Sequence, residues 1–197
     1  MSKREFPYRR ELARLLRKAG GKEVLQQEIV ALQVALLGPK QPSVIALIKL
    51  LKATTYRAPE HIIGKAIADT KDPRAVGPLV KAATSSGGEG HRCKFLWPLE
   101  NFDCTAHVSS LVKLLVSRTE YDEVTWACIE VIRKMKGPFE PVVARRNIRK
   151  LLAEPNKSLP EAERTALAAF RLEAADFIMA KYFNQTLKSF WKEWNKR

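Results

Sequence analysis

Leu47-Ile48-Lys49-Leu50-Leu51, Leu79-Val80-Lys81-Ala82-Ala83 and Leu111-Val112-Lys113-Leu114-Leu115 are one five-residue pattern written three times, each copy 32 residues after the last. A valine stands three positions ahead of each block, at Val44, Val76 and Val108. A fixed period of this length marks a supersecondary unit that cannot bury its apolar face alone and must stack on its neighbours. The pattern also sets a lysine at the same point of three successive units.

Working outward, the chain reads as helix throughout. Apolar residues recur at the 3.6-residue helical spacing, and alternating strand patterns are scarce. Arg9 to Ala19 and Lys22 to Leu37 are predicted helices, closed by Gly20-Gly21 and by Gly38-Pro39. Further helices are predicted over Pro42–Thr54, Pro59–Asp69, Pro73–Thr84, His91–Asn101, Thr105–Ser117, Tyr121–Met135 and Pro141–Ala153. Asp72 and Pro73 suit the N-cap and first position of their helix. Ser85-Ser86-Gly87-Gly88 is a loop, and Lys136-Gly137-Pro138 is a break. Ser158 and Glu161 are spaced as a capping box that opens a long helix to about Tyr182, with a separate short helix from Gln185 to Trp194. A fourth copy of the repeat near Val142 is degenerate. Its block, Ile148-Arg149-Lys150-Leu151-Leu152, fits only after a shift in register.

Asp72-Pro73-Arg74-Ala75-Val76-Gly77-Pro78-Leu79-Val80 resembles the turn and second helix of a HEAT-like repeat of the phycobilisome-lyase kind, and the Val44 and Val108 blocks resemble the same second helix. The resemblance implies an all-α fold: a short right-handed α-solenoid of about four helix pairs over 22–153. It would be closed by a basic capping helix over 1–21 and by a long helix with an aromatic and basic tail over 154–197. In such solenoids the second helix of each pair lines the concave face. The resemblance therefore implies a basic ladder of Lys49, Lys81 and Lys113, extended by Lys52, Arg145, Arg146 and Arg149, with Arg118 and Lys150 as further rungs.

The formal net charge is +14. Residues 1–22 hold eight basic and two acidic side chains, and residues 181–197 hold five and one, so the ends supply most of the excess. Such charge permits nucleic acid, anionic lipid or an acidic protein as partner and does not choose among them. The C-terminal aromatics, Trp191 and Trp194 beside Lys188 among them, form a second patch. It suits base stacking, a protein interface, the closed end of a solenoid or a membrane-surface helix.

No apolar run is long enough for a transmembrane segment. The start of the chain shows no secretory signal, and three cysteines cannot all pair, so a cytoplasmic protein is expected. Hydrolase, nucleotide-binding and metalloprotease signatures are missing, and no cofactor is implied. His91, Cys93, Cys104 and His107 are zinc-ligand types, but the order His-x-Cys then Cys-x-x-His does not follow a standard zinc-finger spacing. These readings lead to a non-enzymatic scaffold that grips an acidic protein surface. Some bacterial immunity proteins, which neutralise a toxin domain, use HEAT-like solenoids in this way. The alternative reading is a nucleic-acid-binding protein resembling the HEAT-like DNA glycosylases, or an RNA-binding one.

Overall fold

The computed structural model describes residues 44–54, 57–85 and 92–194, with side chains described over 44–54, 60–85 and 92–187. The helices expected over 9–19 and 22–37, and most of the glycine loop after Ser85, lie outside the described residues. Among the described residues the chain is all-α. The helices are α1 (Val44–Ala53), α2 (Arg57–Thr70), α3 (Val76–Thr84), α4 (Cys93–Leu99), α5 (Val108–Val116), α6 (Glu123–Lys134), α7 (Pro141–Leu151) and α8 (Glu161–Trp194). Short 3-10 turns at Pro73–Ala75 and Thr105–His107 lead into α3 and α5.

Two compact units divide the chain, Met1–Pro78 and Leu79–Arg197. In the first, α1 packs against α2 and the Pro73–Ala75 turn. Val44, Leu47, Ile48 and Leu51 of α1 are buried, as are Ile63 and Ile67 of α2. Each such side chain contributes about 1.5–3 kcal/mol when removed from water. α2 stops because Lys71 turns to φ 51, in the left-handed region that ends helices. Asp72 then restarts the chain as predicted. Its carboxylate accepts from the Arg74 backbone N–H at 3.0 Å, and Pro73 occupies the first position, where no donor is needed.

In the second unit α4 packs on α6, α5 packs on both α6 and α7, and α8 lies across α6 and α7. Asp122 caps α6 by accepting from the Thr125 N–H at 3.0 Å. Between α6 and α7 the chain turns at Gly137, whose φ of 76 suits glycine alone. Two groups from the turn that leads into α5 hold this connector. The Thr105 hydroxyl accepts from Gly137 N–H at 3.0 Å, and Asp103 accepts from Lys136 N–H at 3.2 Å.

α8 differs from the expectation at both ends. It is one helix of 34 residues, not two. No glycine or proline interrupts 161–194, and Gln185 is fastened by its amide to both backbone groups of Phe139, at 2.8 and 3.4 Å. At the other end the helix begins at Glu161 rather than after Ser158. Asn156 accepts from Ser158 N–H at 3.0 Å and makes a side-chain turn there instead, and the Pro160 carbonyl takes the first helical bond, from Arg164 N–H.

The repeat is a repeat of burial as well as of letters. α1, α3 and α5 begin at Val44, Val76 and Val108. In each, the valine and the residues three, four and seven places on are buried: Leu47, Ile48 and Leu51, then Leu79, Val80 and Ala83, then Leu111, Val112 and Leu115. The lysine five places on is exposed in every copy. α7 shows the same sequence of environments 36 residues after α5. Ala144, Asn147 and Leu151 are buried, Ile148 is half-buried and Arg149 is exposed. The four added residues are about one helical turn, which keeps the apolar face while breaking the letter match.

Candidate basic interface

Lys49 and Lys52 stand on α1 in the first unit, and Lys81, Lys113, Arg145, Arg146 and Arg149 stand on α3, α5 and α7 in the second. All seven are exposed, and none makes an ion pair with a described residue. The basic side chains concentrate on α7, where Arg145, Arg146, Arg149 and Lys150 share eleven residues with no acidic one. The inward face of α7 is Ala144, Asn147 and Leu151, with the Asn147 amide donating to the Ser109 hydroxyl at 3.0 Å. This seats α7 on α5 and leaves its four cations outside.

Glu140 stands one residue before α7, and its carboxylate is already engaged. It accepts from the Val142 and Val143 N–H groups at 2.9 and 2.8 Å. Those two bonds, then the charges of Arg146 and Arg145, hold its carboxyl below the usual range. The Arg145 Nε donates back to the Pro141 carbonyl at 3.3 Å. Arg149 and Lys113 make no ion pair with a described residue, and Arg146 meets only the charge of Glu140, which is already engaged at the N-cap. Guanidinium groups of this kind take carboxylate or phosphate through paired hydrogen bonds. Each exposed contact contributes only about 1 kcal/mol in water, so useful binding needs several at once.

One expected rung serves the fold instead. Arg118 is largely buried and pairs with Asp122 at the N-cap of α6. Lys181 of α8 serves the fold in the same way, donating to the carbonyls of Arg133 and Met135. Burial lowers its pKa, outweighing the opposite pull of Asp103. Arg171 acts alike one element away, donating to the Val116 carbonyl at 2.8 Å at the end of α5. Three side chains of α8, at Arg171, Lys181 and Gln185, therefore satisfy backbone groups at or beyond the ends of α5 and α6. Cations suit such C-terminal carbonyls. Nothing local in the sequence signals these contacts, because each partner lies 46 to 55 residues away.

Lys188, Trp191 and Trp194 lie on the backbone of α8 but outside the described side chains. Of the zinc-type residues, His91 lies outside the described residues. Cys104 is turned into the core, 3.7 Å from the Leu99 carbonyl, and burial pushes its thiol up to about 12. Cys128 is likewise buried and pushed up to about 12. Cys93 and His107 are half-buried. Among the described residues no three histidine, cysteine or acidic side chains are grouped as metal ligands are.

A shallow cleft of about 410 Å³ is lined by Glu120, Tyr121, Ala162, Glu163 and Ala166. Tyr121 stacks on Phe170 with centroids 4.4 Å apart and planes 8° apart. Carboxylates beside aromatic rings are what a base-excising enzyme uses. Here the charged walls are both acidic, which repels a phosphate backbone.

No protein-family model, no curated protein and no solved structure matches the chain.

Proposed function

We propose that the chain is a HEAT-like α-solenoid that works as a non-enzymatic binding scaffold, gripping an acidic protein through the exposed basic residues of its repeated helices. The observation that carries this reading is α7, with four outward cations and no acidic residue, placed in the burial register that the three lysine-bearing helices share. The layering of the second unit supports the solenoid. α4 meets α6 and α6 meets α8, while α5 meets α7, which is how successive helix pairs stack. α8 then serves as the closing helix.

Binding of this kind acts by occlusion. The cations meet carboxylates on the partner and cover them, and the high net charge speeds encounter at low salt. Neutralisation of a toxin domain by an immunity protein is the biological role that such a mechanism fits.

The experiment compares two labelled polyanions of matched charge, a poly-glutamate chain and a DNA duplex, titrated with the full-length protein at low and at near-physiological salt. The reading predicts tighter binding of poly-glutamate at both salts. Tighter binding of the duplex, with the steep salt loss that follows release of phosphate counterions, would overturn it in favour of nucleic acid.

A further inference from the structure

α7 keeps the burial register of α1, α3 and α5 with one change of chemistry. Where those helices bury Leu47, Leu79 and Leu111, α7 buries Asn147. For packing alone a leucine serves better, because a buried amide costs free energy unless its groups are hydrogen-bonded. Asn147 makes one such bond, from Nδ2 to the Ser109 hydroxyl at 3.0 Å, and its Oδ1 has no partner. The core thus gains little from the amide, and the serine is what the amide serves. A hydroxyl has one hydrogen to donate and two lone pairs. Asn147 occupies a lone pair of Ser109, so the hydroxyl hydrogen turns toward the exposed side of α5, where no described group accepts it.

The surroundings of that hydroxyl follow from how α5 and α7 pack. The turn before α5 is tied to the connector before α7 by the bonds from Thr105 to Gly137 and from Asp103 to Lys136. Ser109 and Asn147 tie the two helices again further along, so α5 and α7 run in the same direction. Residues three or four apart share a helix face. Lys113 therefore stands one turn beyond Ser109, and Lys150 stands about one turn beyond Asn147 on the neighbouring helix; both are exposed. Neither makes an ion pair with a described residue. α5 and α7 contain no acidic residue. Asp103 and Glu140, which precede the two helices, are already engaged by backbone N–H groups. The seam between α5 and α7 thus presents donors and positive charge only.

We propose that this seam is a seat for a single oxyanion, with the Ser109 hydroxyl, aimed by Asn147, donating to the ligand and Lys113 and Lys150 neutralising it. Two ammonium groups on adjacent helices repel each other, and an oxyanion between them replaces that repulsion by attraction. A hydrogen bond to a charged acceptor is stronger than one between neutral groups, so one directed hydroxyl adds position to what is otherwise diffuse attraction. The proposal rests on the reading of the basic face and names the point where that face takes hold of a carboxylate of its partner. A free phosphate offers the same chemistry. Asn147 is a positioning residue, and Ser109 is the one that touches the ligand.

The test uses the full-length protein and the double variant Ser109→Ala/Asn147→Leu, which gives α7 the leucine of the other copies. Replacing both partners of a buried hydrogen bond by apolar groups is close to neutral for the fold, so the variant should keep the thermal midpoint of the parent. Affinity for poly-glutamate is measured at near-physiological salt, where attraction between distant charges is screened. The double variant should bind at least about fivefold more weakly, although no charge has been removed. Ser109→Ala alone should show the same loss. Ser117→Ala should show none, since the Ser117 hydroxyl already donates to the Leu114 carbonyl at 2.7 Å. In a second arm, inorganic phosphate should raise the thermal midpoint of the parent above that in sodium chloride of equal ionic strength, and should not do so for the double variant. Parent-like affinity for poly-glutamate in a folded double variant overturns the seat and leaves the basic face standing. If poly-glutamate fails to bind the parent while the phosphate effect depends on Ser109, the seat holds for free phosphate and the acidic-protein reading falls. If neither ligand acts on the parent, both are overturned.

Discussion

Asp103 shows how one carboxylate ties the turn before α5 to the connector after α6. It accepts from the Thr105 N–H at 3.1 Å, from the Thr105 hydroxyl at 2.5 Å and from the Lys136 N–H at 3.2 Å. Partial burial pushes its pKa up, but the three hydrogen bonds and the charge of Lys136 together outweigh it and lower it. A carboxyl held lower in the folded state than in the unfolded one stabilises the fold above its unfolded pKa of about 3.9. That contribution is lost as pH falls through the folded value. Asp103→Ala is therefore expected to cost roughly 1–3 kcal/mol at neutral pH. It should also flatten the decline of the thermal midpoint with acid; an unchanged acid limb would show that Asp103 does not anchor the connector. The capping role of Asp72 could be read from its neighbour Pro73. The role of Asp103 could not, because its second partner, Lys136, lies beyond an intervening helix pair.

Among elements, α8 is where sequence and structure part most. Its apolar residues cover much of the circumference, which hides the working face. The face carries Leu167 and Ile178 together with small and polar residues: Ala174 beside Arg171, Lys181 and Gln185. Small residues allow close approach, and the polar ones reach carbonyls that helix ends leave unsatisfied. Lys181→Met removes the donor to the Arg133 and Met135 carbonyls, leaving both unsatisfied, and is expected to cost about 1–3 kcal/mol in chemical denaturation. Lys157→Met, which breaks only an exposed pair with Glu154 at 3.6 Å, should stay within about 0.5 kcal/mol. Equal effects would mean that α8 does not cap α6. The repeated helices were far more legible. Val44, Val76 and Val108 mark the first residue of α1, α3 and α5, because each copy of the sequence repeats the helical spacing of its buried positions. The fourth copy, α7, escaped the letter match because Ala144 and Asn147 replace valine and leucine at the buried positions, and an added turn displaces them.

For the whole molecule, the net charge of +14 has been resolved into different uses. Arg118, Arg171 and Lys181 are spent on the fold. Lys113, Arg146 and Arg149 remain outward and unpaired among the described residues, and they are the core of the proposed binding face. The exposed cations were legible from the register of Lys49, Lys81 and Lys113, since a residue opposite the buried stripe must meet solvent. The diverted ones were not, because identical side chains are sorted only by tertiary neighbours. The most direct measurement is the affinity of the full-length variant Lys113→Glu/Arg146→Glu/Arg149→Glu for poly-glutamate at low salt, beside the parent protein. All three side chains are exposed, so the variant should keep its thermal midpoint to within a few degrees. The account predicts a loss of at least about tenfold in affinity, as three contacts of about 1 kcal/mol each turn repulsive. A folded variant that binds poly-glutamate as tightly as the parent would contradict it.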